Sequence, residues 1–166
     1  MHWTTYDSPL GTLTLTEEDG RITGIRFPGR HGDLRPADRS DTPFAALRAQ
    51  LDEYFDGARR TFDVEVELRG SEFRQAVWEQ LRTIPYGETV SYGSIALALG
   101  RMDRVRAVGS AVGSTPVPIV VPCHRVIGAD GSLTGYGGGL ERKARLLELE
   151  GARAAREPEL PLARAR

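Results

Sequence analysis

The chain contains 166 residues, of which 40% are hydrophobic and 27% are charged, and its formal net charge is −1. These values are typical of an ordinary globular protein with one good hydrophobic core and room for a small second one. No apolar run approaches the roughly 18 to 20 residues that span a membrane, and residues 1–5 lack the basic and apolar regions of a signal peptide. The single cysteine, Cys123, excludes an internal disulfide and predicts a cytoplasmic protein whose thiol stays reduced.

The overall charge does not predict a partner. Nucleic-acid binding depends on local clusters of positive charge rather than on the total. Nearly all of the positive charge is arginine, and Lys143 is the sole lysine. Arginine suits phosphates and base edges, but such a bias also follows from genome composition.

Residues 1–69 are predicted to form a small structural α+β domain. Residues 2–28 are predicted to form a strand meander, because apolar and polar residues alternate over 12–16 and 22–27 and turn residues occupy 8–11 and 18–20. A helix is expected from Thr42 to about residue 55, followed by one more alternating strand over 62–66. No motif in this region carries chemistry.

Residues 70–151 are predicted to form a second, mainly helical domain. Ser71 caps a helix that extends to about residue 83. Ser91 caps a second helix that Gly100 ends, and a third helix covers residues 103–112. Two short helices joined by a tight glycine-containing turn are typical of a helix-turn-helix, although many such pairs bind nothing.

The third helix of this domain consists largely of small residues between Arg106 and Ser114. Its two glycines cost roughly 1 kcal/mol each relative to alanine, and they permit the close approach of another backbone. A neighbouring helix is the commoner explanation, and a DNA strand is the alternative. Arg101, Arg104 and Arg106 surround this smooth surface with only Asp103 opposing them, which suits a minor groove.

Cys123 lies in an apolar stretch, residues 119–127. Residues 119–121 are predicted to form a short buried strand, which Pro122 ends. The thiol is a nucleophile only as a thiolate, which needs a base or positive charge nearby, and the next two residues, His124 and Arg125, are of those types. A free cysteine is nevertheless most often a small buried hydrophobe. One cysteine and three scattered histidines do not make a zinc site.

The last third of the second domain contains a glycine loop and a helix. Residues 135–139 lack the order of a phosphate-binding loop, and a flexible wall over a flat ligand, with Tyr136 stacking on it, is the better interpretation. A final helix is expected over 141–150, with Leu140 packing inward. Glu150 at its end opposes the helix dipole unless it has a partner. The composition of residues 152–166 predicts a disordered tail.

The sequence Pro-Cys-His-Arg-Val at residues 122–126 resembles the active-site signature of the O6-alkylguanine-DNA alkyltransferases, a family of DNA-repair proteins. Further matches occur at 106–109, 135–140 and Glu150. The resemblance extends from about residue 73 to 151 and is weaker, but consistent in layout, over the first 70 residues. It implies an α+β fold, with a small N-terminal domain and a helical C-terminal domain that carries a winged helix-turn-helix.

The resemblance also implies a function. The alkyl group of O6-alkylguanine, and less well that of O4-alkylthymine, is transferred irreversibly to Cys123 after the base is flipped from duplex DNA. Each protein molecule acts once, with no metal or organic cofactor. The partner is double-stranded DNA bound through its minor groove, and we expect a monomer that does not bind membranes.

Residue by residue, the resemblance assigns the chemistry to Cys123 as nucleophile, His124 as its base through a water, and Glu150 as the group that orients His124. Tyr92 protonates the leaving guanine and pushes the 3′ phosphate, and Arg106 fills the gap left by the flipped nucleotide. The remaining positions are Gly93, Arg101, Ala107 and Gly109 for DNA, Val126, Tyr136 and Gly137 for the base, and Thr115 and Arg125 for support. Gly137 offers only a backbone N–H where relatives often have a serine.

One position departs from the family pattern. Thr115-Pro116 stands where the family usually has Asn-Pro, whose asparagine bridges the recognition helix and the active-site turn. We expect threonine to be too short to reach two partners, at a cost of about 1–3 kcal/mol and therefore slower transfer. A lesion-recognition protein with weak or no transfer is accordingly an alternative. A cysteine hydrolase fits less well, because adjacent cysteine and histidine side chains rarely face each other.

Overall fold

Three antiparallel strands begin the chain in the computed structural model. They are β1 (His2–Ser8), β2 (Gly11–Glu18) and β3 (Arg21–Arg26), in the order β1-β2-β3. Asp19 and Gly20, the two residues between β2 and β3, both have positive φ, which matches the right-handed twist of a two-residue hairpin. The predicted strand meander over residues 2–28 is confirmed, with β1 as its first strand.

The structure describes residues 1–30 and 32–152, and these divide into two compact units. The first comprises residues 1–69 together with 116–120, and the described part of the second comprises 70–115 and 121–152. The predicted second domain, residues 70–151, included residues 116–120. Their contacts are with the first unit, where the Pro116 carbonyl accepts a hydrogen bond from Ile25 N of β3 at 3.0 Å.

The helix of the first unit, α1 (Ala45–Phe55), follows a 3-10 turn at Thr42–Phe44. Its buried side chains are Leu47, Leu51 and Tyr54. The predicted strand over 62–66 is wrong, because this segment forms a single parallel bridge between Val66 and Ile22. Alternating polarity there reflects an irregular segment with one side against the sheet.

The described residues of the second unit contain four helices and two short strands. They are α2 (Glu72–Leu81), β4 (Val90–Ser91), α3 (Tyr92–Ala98), α4 (Val105–Gly113), β5 (Val126–Ile127) and α5 (Leu140–Leu149), and β4 pairs with β5 in parallel. The predicted caps are confirmed, since Ser71 and Ser91 each accept a hydrogen bond from the backbone N–H three residues later. Gly100, with φ +67°, follows α3 in the left-handed conformation. A 3-10 turn at Met102–Arg104 precedes α4, which therefore starts two residues later than predicted.

The Trp78 side chain links α2 to α4. Its indole N–H donates to the Ala111 carbonyl at 2.8 Å, and the side chain is only 1% exposed. A buried indole needs such a partner, and the acceptor is a carbonyl within the last turn of α4. The bond fixes the position of α4 in the second unit.

Two features near the end of the described chain differ from expectation. Ile119 and Val121 are buried as predicted and Val120 is half-buried, but Ile119 and Val120 form a turn rather than part of a strand, with Ile119 at φ +75°. Leu140, predicted to pack inward, is 48% exposed, and Lys143 is buried instead. The proposed tail 152–166 lies outside the described residues except for Ala152, which is buried beside Ile127 and Leu147. Among the described residues, no helix has the length and apolarity needed to cross a membrane.

We expect Trp78→Phe to lower the free energy of unfolding by about 1–3 kcal/mol, because it removes a buried hydrogen bond and part of a fully buried ring, and leaves the Ala111 carbonyl only its longer bonds from Ser114. Urea unfolding followed by circular dichroism measures this loss. Trp3→Phe is the matched control, since Trp3 also donates to a carbonyl, that of Arg35, but at the surface, and its loss should stay within about 0.5 kcal/mol. Equal losses in the two variants would contradict the assignment.

Candidate active site

Cys123 begins a 3-10 turn, Cys123–Arg125, whose three side chains are all buried. The turn follows Pro122 and leads directly into β5, and Cys123 N donates to the Val121 carbonyl at 2.7 Å. The cysteine is therefore held by a tight turn, not by the strand end that the sequence predicted. The turn lets adjacent side chains diverge, so that His124 and Arg125 both reach Glu150.

Glu150, the residue that caps the C-terminus of α5, lies at the centre of a buried ionic cluster. Its Oε2 is 2.7 Å from His124 Nε2, and Arg125 contacts both of its carboxylate oxygens, at 2.8 and 3.0 Å. The Gly87 N–H adds a longer bond to Oε1 at 3.3 Å. Arg125 also donates to the Ile84 carbonyl at 2.6 Å. The guanidinium is thus committed to Glu150 and the backbone rather than to the thiol.

The cluster determines the protonation of its members. Burial alone would raise the pKa of Glu150, but the hydrogen bonds from His124 and Arg125 outweigh it and hold the pKa well below its usual range. Burial lowers the pKa of His124 against the opposing influence of Glu150. The imidazole is therefore neutral and donates from Nε2 to Glu150. Its buried Nδ1, which has no hydrogen-bond partner in the described part of the chain, is left as the basic nitrogen.

Burial raises the pKa of the Cys123 thiol to about 11. Three side chains work in the opposite direction, through a hydrogen bond from Thr115, the positive charge of Lys143 and a hydrogen bond from Tyr136. In the resting protein the thiol is protonated, and the surroundings favour the thiolate when it forms.

Thr115 lies just after α4, close to the active-site turn. Its hydroxyl donates to the Val112 carbonyl in α4 at 2.8 Å, and hydrogen bonding from Thr115 opposes the effect of burial on the pKa of Cys123. One hydroxyl proton serves either the carbonyl or the thiolate. The expectation that threonine cannot hold two partners at once therefore stays a prediction.

Lys143, Tyr92 and Thr134 form a second cluster beside the cysteine. Lys143 Nζ donates to the Thr134 carbonyl at 2.7 Å and lies 5.9 Å from the centre of the Tyr92 ring. The Thr134 hydroxyl donates to the Tyr92 oxygen at 3.1 Å. Burial, and less strongly the Cys123 charge, raise the pKa of Tyr92, so the phenol keeps its proton. Sequence reasoning missed Lys143 and Thr134, and the one available signal was a lone lysine among arginines.

A cavity of about 540 Å³ lies between α3, α4 and the loop that contains Thr134. Its lining residues are Tyr92, Val105, Arg106, Gly109, Gly113, Thr134, Gly135, Tyr136 and Gly137. The structure thus brings together five residues that the sequence had singled out from three separate segments. Of the others, Val126 is buried in β5, Gly93 lies in the first turn of α3, and Ala107 is half-buried in α4.

The two glycines of α4 have open surroundings. A Cβ at Gly113 would meet nothing within 4 Å, and one at Gly109 would stand at an ordinary 3.8 Å from the Tyr92 ring. Packing against another part of the described chain therefore does not require either glycine. The smooth surface of α4 faces the cavity, where a bound molecule has room to approach.

The three arginines around α4 differ in their surroundings. Arg101 is paired with both carboxylate oxygens of Asp103 at 3.2 Å, and the Arg104 guanidinium lies 4.2 Å from the centre of the Phe73 ring. Arg106 is exposed at the rim of the cavity. Of the three arginines, Arg106 is therefore the one best placed to insert its side chain into a molecule bound along α4.

The fold and the site define a two-unit α+β protein that carries a buried cysteine, backed by a histidine–glutamate pair, next to a helix-turn-helix. The chain belongs to the 6-O-methylguanine DNA methyltransferase family, as the resemblance predicted. Residues 72–152 match the DNA binding domain of this family, and residues 1–68 match its ribonuclease-like domain.

Proteins of similar sequence and structure match this chain over nearly its whole length. The methylated-DNA–protein-cysteine methyltransferase of Mycobacterium bovis is 50% identical over 93% of this chain and 94% of its own length. The constitutive enzyme of Bacillus subtilis is 43% identical over 90% and 94%. The crystal structure of Mycobacterium tuberculosis OGT in complex with DNA superimposes with a TM-score of 0.85 at 49% identity, over 93% of this chain and 97% of that one. The predicted family and α+β fold class are confirmed.

We expect Glu150→Gln to lower the free energy of unfolding by about 3 kcal/mol or more, because it leaves the buried Arg125 charge without a counter-charge. Glu148→Gln removes an exposed carboxylate from the same helix and should cost within about 0.5 kcal/mol. Chemical denaturation at neutral pH measures both.

The two variants should also differ in how their stability depends on pH. The folded-state pKa of Glu150 lies below its ordinary value of 4.5, so its stabilisation is complete above that pH and is lost as the pH falls toward the folded pKa. Acid titration of stability should therefore be flatter in Glu150→Gln than in the wild type, whereas Glu148→Gln should follow the wild type. Parallel acid curves for all three proteins would refute the assignment.

Proposed function

We propose that this protein repairs DNA by transferring the alkyl group of O6-alkylguanine to Cys123, as a methylated-DNA–protein-cysteine methyltransferase that acts once. The observation that carries this proposal is the buried Cys123–His124–Glu150 arrangement beside a cavity lined by α3, α4 and a glycine loop. Relatives that share half of the sequence carry this name, and a related structure contains DNA.

The reaction is a displacement at the alkyl carbon. The Cys123 proton passes through a water to His124 Nδ1, and Glu150 stabilises the resulting imidazolium through Nε2. The thiolate attacks the carbon, so that an S–C bond forms as the C–O bond to guanine breaks. The product is a thioether, which water does not displace, and each molecule therefore reacts once.

Tyr92 supplies the proton that the departing guanine needs. Its high pKa keeps the phenol protonated at neutral pH, and its position on the cavity wall puts it against a base bound there. The Thr134 hydroxyl donates to the phenol oxygen, which supports the negative charge that develops when the proton leaves.

The smooth surface of α4 binds duplex DNA through the minor groove. Gly109 and Ala107 let the backbone approach, Arg106 occupies the space of the flipped nucleotide, and Arg101 contacts a phosphate, as does the first turn of α3 at Gly93. The flipped base enters the cavity, whose volume of about 540 Å³ is within the usual range for a ligand site. Tyr136 stacks on the base, while backbone groups of Gly137 and Val126 read its edge.

A lesion-recognition protein without transfer is not favoured. The chain keeps the cysteine, and Thr115, which donates to the Val112 carbonyl of α4, also favours the thiolate. Substrates extend to O4-alkylthymine, though less well, and Arg125 supports the reaction by holding Glu150. The protein acts as a cytoplasmic monomer without a cofactor, and a reducing compartment suits its unpaired thiol.

Incubation with a duplex that carries O6-methylguanine should add one methylene per chain, because a methyl group replaces the thiol hydrogen of Cys123. Intact-protein mass spectrometry measures the gain and its saturation at one per molecule. Cys123→Ser should gain nothing. Binding that favours the lesion without any gain in mass would instead identify a recognition protein, and the loss of both would exclude a repair role.

We expect Arg106→Ala to weaken binding of the lesion duplex about tenfold or more, because one charged contact in a groove contributes about 1–3 kcal/mol. Fluorescence anisotropy at fixed ionic strength measures the affinity. Arg104→Ala is the matched control, since it removes the same charge from a side chain that is stacked on Phe73, and it should bind close to the wild type. If the two variants weaken binding equally, Arg106 has no special role.

A further inference from the structure

Lys143 is a buried cation that the reaction above does not use. It is 0% exposed and lies on the same face of α5 as Leu146, Leu147 and Glu150, which are also buried. That face is otherwise the core-facing side of an amphipathic helix. A leucine or methionine at this position would fit the surrounding pattern.

The position is electrostatically unfavourable for a lysine. Taking an ammonium group out of water is costly unless a partner compensates for it, and burial lowers its pKa to about 8. Lys143 is also the fourth residue of α5, close to the positive end of the helix dipole, where a cation is disfavoured. Burial and the dipole both oppose the charge, so the surroundings must provide a compensating interaction.

The groups that face Lys143 come from three segments. The Thr134 carbonyl accepts its hydrogen bond at 2.7 Å, and the Tyr92 ring of α3 lies 5.9 Å away. The active-site turn lies against α5 through the contacts of His124 and Arg125 with Glu150, and the charge of Lys143 favours the Cys123 thiolate and lowers the pKa of His124. Among the side chains that favour the thiolate, Lys143 is the one with a full positive charge.

The other cations of the site are committed elsewhere. Arg125 forms a two-point contact with Glu150, and His124 is neutral until it takes the thiol proton. When Cys123 ionises, negative charge appears in a buried region where electrostatic interactions are much stronger than in water. Lys143 is already in place to balance that charge.

We propose that Lys143 is the counter-charge of the Cys123 thiolate, a positioning residue that determines how readily the nucleophile forms and that holds the Tyr92–Thr134 pair beside it. This inference rests on the proposed function, since it assigns Lys143 a part in the same transfer. It predicts that removing the charge slows Cys123 even when a donor for the Thr134 carbonyl is kept.

The test compares the wild type with Lys143→Met, Lys143→Gln and Arg145→Gln. Methionine removes both the charge and the hydrogen bond, and glutamine removes the charge while keeping a donor for the Thr134 carbonyl. Arg145→Gln takes the same charge from the exposed face of α5. For each protein, the rate at which iodoacetamide alkylates Cys123 is followed by intact mass over a range of pH. Methyl transfer from an O6-methylguanine duplex is followed in single turnover.

We expect both Lys143 variants to react with iodoacetamide about tenfold or more slowly than the wild type at neutral pH, because an opposite charge nearby lowers a pKa by about one unit or more. The difference should shrink as the pH rises through about 8, where Lys143 itself loses its proton. Arg145→Gln should match the wild type. The melting temperature of Lys143→Met should equal or exceed that of the wild type, since a buried charge has been removed.

Two results would overturn the inference. One is a wild-type iodoacetamide rate for Lys143→Gln at neutral pH, which would leave only the hydrogen bond. The other is a rate deficit that is the same at every pH, as a purely structural defect would give. The iodoacetamide reaction needs no DNA, so it decides the role of Lys143 by itself. Failure of the wild type to accept a methyl group would count against the proposed function and not against this result.

Discussion

The buried carboxylate of Glu150 joins three parts of the second unit that are far apart in sequence. It receives His124 and Arg125 from the active-site turn and the Gly87 N–H from the turn after α2, while Arg125 reaches on to the Ile84 carbonyl. Without it, the buried Arg125 guanidinium would lose its counter-charge and the His124 Nε2–H its acceptor. One carboxylate therefore stabilises the fold around the cysteine and also leaves the basic nitrogen of His124 available for the thiol.

Local sequence signals predicted most of the fold, because caps and turns act over a few residues. Ser71, Ser91 and Gly100 mark helix ends through hydrogen bonds and a backbone conformation that the sequence alone indicates. The strands predicted over residues 62–66 and 119–121 are wrong, because an alternating or apolar run indicates burial but does not show whether a partner strand lies alongside. Of the site, Cys123 and its histidine were visible locally. The partnership with Glu150 came only from the resemblance, because it depends on contacts 26 positions apart.

The final helix, α5, carries at each end a charged side chain that the helix dipole disfavours. Lys143 lies near the positive N-terminus of α5 and Glu150 caps its negative C-terminus, and both side chains are buried. The periodicity of an amphipathic helix predicted the buried face but assigned Leu140 to it in place of Lys143. A helix that served only to cover a core would avoid both charges. Charges at these two positions are expected if α5 supports the proposed chemistry of the site.

The bond between Trp78 and the Ala111 carbonyl has an optical consequence. The chain has two tryptophans. Trp78 is buried against the helix that lines the cavity, and Trp3 lies in the first unit with its indole bonded to a surface carbonyl. Indole emission responds to the polarity and hydrogen bonding around the ring. Each unit therefore carries one tryptophan whose emission reports on its own surroundings. Because the Trp78 indole donates to a carbonyl of α4, a movement of this helix shifts the emission wavelength of the protein.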